Sequence, residues 1–214
     1  MASSFQFQVR FRNRRFNDAR KGLEAFARQL QKDWDGSAKV MSQELKEFLD
    51  SVAHALASRH GMPWPSGTTD KSLSSRTGQL VSSLERSVTV KGQTWRSLKA
   101  YITVGFPGVI HEFGATIKAK EAKYLTIPLP PALDERGVPL KKSARDWENT
   151  FVARTKAGNL IIFQKRATQI VPLYLLRETT TIPPRLGLRE TINTGLPHFV
   201  ERAMDRMVRH FLTN

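Results

Sequence analysis

His111-Glu112 is the residue pair best suited to chemistry in this chain, because a His-Glu step on a helix is how zinc peptidases begin their metal site. That chemistry needs a second histidine at the fifth position, so that both rings share one helix face. Ala115 stands there instead, and the pair is incomplete. His54, His60, His198 and His210 have no tight ligand spacing and read as surface or packing residues. There is no Gly-rich loop ending in Lys-Ser/Thr, which argues against an ATPase. Asp134 with Glu135 and Asp146 with Glu148 are carboxylate pairs in polar surroundings, and acid–base work requires burial or convergent geometry. Trp64, Trp95 and Trp147 could stack bases, yet without an aromatic platform such residues more often anchor loops or interfaces. The chain has no cysteine, so disulfides and thiolate metal sites are excluded. The expectation is a non-enzyme that needs no cofactor and no metal.

The elements that must position these residues follow an α+β pattern. Phe5, Phe7, Val9 and Phe11 alternate with Gln6, Gln8, Arg10 and Arg12, which predicts a strand with one buried face. Asn17 or Asp18 can cap a helix bearing Leu23, Phe26, Ala27, Leu30 and Trp34, which Gly36 is expected to interrupt. A second helix carries Met41, Leu45, Phe48, Val52 and Leu56, and Gly61 with Pro63 ends it. A short helix over Leu80 and Leu84 comes next. Residues 87–91 and 98–105 then form a hairpin turning at Gly92. Residues 115–181 read as a β-rich insertion or arm within a single domain of residues 1–214. Its strands are expected near Tyr124–Ile127, Phe151–Arg154 and Leu160–Gln164, with an exposed, mobile tip around Asp134 to Lys142. The C-terminal segment is helical, with a break expected at Gly195-Leu196-Pro197.

Charge is the main global feature. Lys and Arg number 34 against 19 Asp and Glu, a net +15 that favours polyanions or acidic partners. Arg10, Arg12, Arg14 and Arg15 form the densest cluster, a candidate contact for DNA or an acidic protein, or a solvated basic face. No zinc-finger spacing, basic-region heptad or RNA-recognition pattern accompanies it. The apolar stretches are too short to span a bilayer and the N-terminus lacks a signal-peptide core, so a soluble protein without membrane contact is expected.

Three short motifs recur in a definite order: Arg76-Thr77-Gly78-Gln79-Leu80, Ile110-His111-Glu112-Phe113-Gly114, and Thr181-Ile182-Pro183-Pro184-Arg185-Leu186. Thr77 is placed to cap the short helix. The strand ending at Gly105 should lead through Pro107 and Gly108 into a single turn carrying Ile110 and Phe113, with Phe113 and Leu80 in the core. Pro183 and Pro184 hold an extended step before the last helix. With Trp64 upstream, this ordered set resembles the phage tail-completion family, the neck or minor tail proteins of tailed bacteriophages, over Gly61 to Leu188. The matching positions are Trp64, Thr77, Gly78, Leu80 and Ser83, then Glu112, Phe113 and Gly114, then Pro184 and Arg185. The family's Pro-x-Arg-Pro-Phe reads Pro183-Pro184-Arg185-Leu186-Gly187 here. The resemblance implies a virion protein that completes the tail or joins it to the head as a hexameric ring around the DNA channel. Its neighbours would be a tail terminator or tail tube protein and a head-side connector, after assembly in the host cytoplasm. The reading that rests on charge alone is a basic DNA- or RNA-binding accessory protein.

Overall fold

The computed structural model describes residues 9–11, 14–16 and 18–213. The chain is α+β. Its elements in order are β1 (Val9–Phe11), β2 (Arg14–Phe16), α1 (Ala19–Arg59), α2 (Gln79–Glu85), β3 (Val88–Lys91), β4 (Lys99–Ile102), α3 (Phe106–Phe113) and β5 (Ala115–Lys118). After these come β6 (Leu125–Pro128), β7 (Thr150–Arg154), β8 (Leu160–Arg166), β9 (Gln169–Arg177), β10 (Thr179–Ile182) and α4 (Leu188–Thr213). Two compact units emerge. One comprises residues up to Leu49, Thr89–Tyr101 and those from Thr194 onward; the other comprises Asp50–Val88 and Ile102–Asn193.

In the first unit, β1 pairs antiparallel with β2, Arg10 opposite Arg15. Phe5, Gln6, Phe7, Gln8 and Arg12 of the expected strand, and Asn17 as a cap, lie outside the described residues. Asp18 opens α1: its Oδ1 accepts the Arg20 amide at 2.9 Å. The helix then runs unbroken for 41 residues, correcting the interruption expected at Gly36. A glycine inside a helix costs about 1 kcal/mol, and here it makes room, since a Cβ at Gly36 would lie 3.1 Å from the His210 ring. Trp34 adds to the contact, stacking near Trp95 at 5.4 Å and Phe211 at 6.3 Å. Trp95 anchors the loop between β3 and β4, its indole N–H reaching Trp34 O at 3.1 Å and Ser37 Oγ at 3.0 Å.

α4 is likewise continuous through Gly195-Leu196-Pro197, where the sequence suggests a break. A proline in a helix interior costs about 3 kcal/mol. Packing holds the helix together across it: Phe48 stacks on Phe199 at 4.8 Å, and a Cβ on Gly195 would come within 2.9 Å of the Phe48 ring. Below this aromatic contact Glu44 is fully buried between Arg202 (2.8 Å) and Arg206 (2.5 Å). Leu23 and Leu30 on α1, and Val200, Met204, Val208 and Leu212 on α4, are exposed apolar side chains at helical spacing.

The second unit buries Val52, Ala53, Leu56, Leu84 and Leu186, and contains a four-stranded antiparallel sheet in the order β6-β9-β8-β7. Three of these strands match the sequence reading, and Gly158 (φ 81°) makes the turn between β7 and β8 that the residue types of Lys156-Ala157-Gly158-Asn159 suggest. β9 was not foreseen, because Pro172 sits in the middle of it. The sheet absorbs the proline with a register shift: Ile162 faces Tyr174 while Phe163 faces Pro172, and the skipped Leu173 is fully buried. Leu173 and Tyr174 form a core with Ala132 and Ala144, joined by Trp147, whose indole donates to the Tyr174 hydroxyl at 3.0 Å. β5 and β10 pair antiparallel, Ala115 opposite Ile182 and Lys118 opposite Thr179, closing the base of the region between them.

The tip at Asp134 to Lys142 is built rather than free. Asp134 accepts the Val138 and Arg136 amides at 2.8 and 2.9 Å, and these bonds hold its carboxyl below the usual range. The Leu140 amide reaches Ala132 O at 3.0 Å, and Gly137 (φ 76°) lies against the Trp64 ring. A Cβ there would approach the ring to 2.6 Å. Hydrogen exchange on the isolated chain should therefore show protected amides at Gly137, Val138 and Leu140. Gly137→Ala should lower stability by more than about 1 kcal/mol in chemical denaturation, since it adds left-handed strain to a collision.

Candidate functional site

The three motifs meet in the second unit. α2 begins at Gly78, whose left-handed backbone (φ 73°) supplies the turn. Thr77 is not its cap: the hydroxyl lies a long 3.5 Å from the Gln79 amide. Leu80 is half-buried and Leu84 fully buried, so Leu84 is the core residue of this helix. β4 stops at Ile102 rather than Gly105, and α3 is two turns long rather than one, with Pro107 in its first turn where a missing N–H costs nothing.

The C-terminal end of α3 clasps the segment leading into α4. The His111 carbonyl accepts both the Arg185 amide at 2.6 Å and the Leu186 amide at 2.8 Å. Glu112 reaches across to the N-terminus of α4, accepting the amides of Leu188 (2.8 Å) and Arg189 (3.1 Å). A carboxylate in that position satisfies orphan donors and meets the positive end of the helix dipole. Gly114 (φ 72°) permits close approach, since a Cβ would meet Ile182 O at 3.0 Å and the Pro184 ring at 3.1 Å. Phe113, expected in the core, is 59% exposed, because the carboxylate and the glycine make the clasp while its ring lies outside under Arg189, 4.9 Å away.

Beside the clasp lies a cleft of about 420 Å³ lined by Thr77, Gly78, Leu80, His60, His111 and Arg185, among others. It brings the first motif and the proline-arginine step together. Trp64 stands apart, with the Arg76 guanidinium 5.6 Å over its ring. His60 is a satisfied core histidine: its Nε2–H donates to Leu186 O at 3.0 Å and Nδ1 accepts the Leu73 amide at 3.1 Å. Burial, partly offset by the Leu186 carbonyl, holds its pKa below the ordinary value, with Arg59 adding to the depression. His111 is depressed too, by burial and then by Arg185 and His60, and its buried Nδ1 has no hydrogen-bond partner among the described residues. The sequence reads His60 as a surface or packing residue rather than a ligand, and the structure makes it packing; the signal is its place one turn beyond Leu56, in line with the apolar face of α1 and just past its end.

Because the folded chain resists protonating His60, the unfolded chain binds more protons below the ordinary histidine pKa. Stability is fully present above about pH 6.5 and falls as pH drops below it. Thermal melts at pH 7.5 and 5.5 should show a loss on acidification that is smaller in His60→Gln.

The basic cluster is exposed where described: Arg10 and Arg15 sit opposite each other across β1 and β2, with Arg14 beside them, while Arg12 lies outside the described residues. Asp134 is a turn residue, and Asp146 completes a capping box with Ser143, so neither belongs to a carboxylate dyad. Among the described residues no group of three or more His, Asp or Glu could hold a metal, and no helix is long and apolar enough to cross a membrane. Comparison with known proteins finds no matching family model, no matching curated sequence and no matching solved structure.

Proposed function

We propose that this chain is a structural, non-enzymatic virion protein of a tailed bacteriophage that completes the tail or joins it to the head. The observation that carries this reading is the convergence of the second and third motifs on one clasp. Three of their residues have scaffolding duties there: Glu112 as a helix cap, Gly114 as a close-approach point, and Arg185 as the backbone partner of His111. Residues spent on positioning backbone suit a protein whose work is assembly. The subunits form a ring, hexameric in this reading, around the DNA channel, between a tail terminator or tube protein and a head-side connector. The exposed Leu23 and Leu30 of α1 and the exposed Val200, Met204 and Val208 of α4 suit a ring, since a heterologous interface uses two different patches of the same subunit. Negative-stain images and sedimentation of the purified protein, alone and with tail tubes, should show closed rings, and Leu30→Glu with Met204→Glu should dissolve them. A protein that stays monomeric in every mixture and never joins tails overturns the proposal.

The paired arginines of β1 and β2 favour a second reading, a basic DNA- or RNA-binding accessory protein. In that case duplex binding should weaken steeply with salt, with a log–log slope of roughly 0.9 per neutralised phosphate. Replacing Arg10, Arg12, Arg14 and Arg15 by Gln should lower that slope and leave the melting temperature unchanged; an unchanged slope removes these residues from the contact.

A further inference from the structure

The cleft beside the clasp holds two polar groups left without partners. The Arg185 side chain is half-buried and makes no hydrogen bond or ion pair among the described residues, and Nδ1 of His111 is buried and unbonded. Glu112, Glu190 and Asp70 line a neighbouring cavity with Arg185, and Glu112 there accepts the Leu188 and Arg189 amides. No Asp or Glu lines the cleft; its polar lining is Arg76, Gln79 and Arg185 with histidine, serine and threonine, and its walls include Leu73, Leu80, Val81 and Pro107. An unpaired guanidinium beside an apolar wall suits an oxyanion attached to an apolar body.

We infer that this cleft is a docking site for an acidic peptide segment, whose carboxylate pairs with the Arg185 guanidinium beside His111 and whose neighbouring apolar side chain lies on Leu80 and Pro107. The geometry favours peptide over nucleic acid. A cleft of this volume admits a side chain or two, whereas a duplex presents its phosphates on a convex rod. A guanidinium fork matches the two oxygens of a carboxylate. The inference stands independently of the ring, since any partner with an exposed acidic loop would satisfy it.

The test is titration of the full chain with a capped tripeptide carrying aspartate between two leucines, followed by the imidazole NMR signals of His111 and by calorimetry. The asparagine counterpart, inorganic phosphate and a short DNA duplex are run in parallel. Saturable shifts of His111 by the aspartyl peptide are expected, with affinity about tenfold or more lower for the asparagine peptide and for Arg185→Gln, the loss expected of a charge-assisted hydrogen bond. Equal binding of the asparagine peptide would make the cleft a plain apolar groove. Phosphate binding as tightly as the aspartyl peptide would make it an inorganic oxyanion site, and a duplex displacing the peptide would make it a nucleic-acid site. Each of these outcomes, or the absence of any saturable shift, overturns the inference. Should Arg185→Gln fail to fold, the aspartate–asparagine contrast on the unaltered chain decides.

Discussion

Replacing Arg202 and Arg206 together by alanine should destabilise the protein by about 3–5 kcal/mol, one of the two largest effects expected for surface-reaching side chains in this chain. The reason is asymmetric burial. Glu44 has no exposed surface, whereas the arginines keep nearly half of theirs. Removing the arginines leaves a carboxylate in the interior with neither water nor counter-charge, and a charge so placed loses far more hydration than its pair had returned. Removing the carboxylate is a different experiment. In Glu44→Leu the two guanidinium groups swing into water and an apolar side chain of similar size fills the gap, so the loss should be well under half as large. Denaturant titration of the two variants checks the ordering. Equal losses would mean that Glu44 contributes by shape rather than by charge.

Leu84→Ala should cost about 2–5 kcal/mol, while Phe113→Ala should cost about 1 kcal/mol or less. Leu84 is wholly enclosed, so its truncation leaves a cavity. The Phe113 ring is mostly in solvent and loses only its contact with Arg189. Melting curves of the two variants decide the matter, and an insoluble Phe113→Ala beside a stable Leu84→Ala would contradict the burial described for both.

Those two residues also show where sequence reasoning reached and where it stopped. Periodicity places helices and strands well when the signal is local: α2, three strands of the large sheet and the turn at Gly158 follow from spacing and turn residues alone. It fails wherever a distant side chain overrides a local preference. Gly36 and Gly195 look like breaks because their neighbours His210 and Phe48 are remote in sequence. β9 is hidden because a register shift accommodates Pro172. In the clasp, the motif residues were identified but not their duties. A Glu-Phe-Gly turn reads as a buried phenylalanine with polar flanks, whereas the carboxylate carries the contact, to amides 76 and 77 positions away. The orphaned Nδ1 of His111 leaves no pattern in sequence, because satisfaction of a hydrogen bond is a property of three-dimensional neighbours.

The pairing of β5 with β10 has a further consequence. The chain leaves through Lys118 and returns through Thr179 at the spacing of two bonded strands, about 5 Å, and everything between them has a core of its own around Leu173 and Tyr174. A detour whose two ends are adjacent can be exchanged for a tight reverse turn without moving its host, and the loop-closure cost changes only slowly with length. The clasp and its cleft thus form the fixed chassis of this unit, and the sheet between β5 and β10 is an interchangeable cassette. Trp64 would register the swap, since Gly137, which covers its ring, leaves with the cassette.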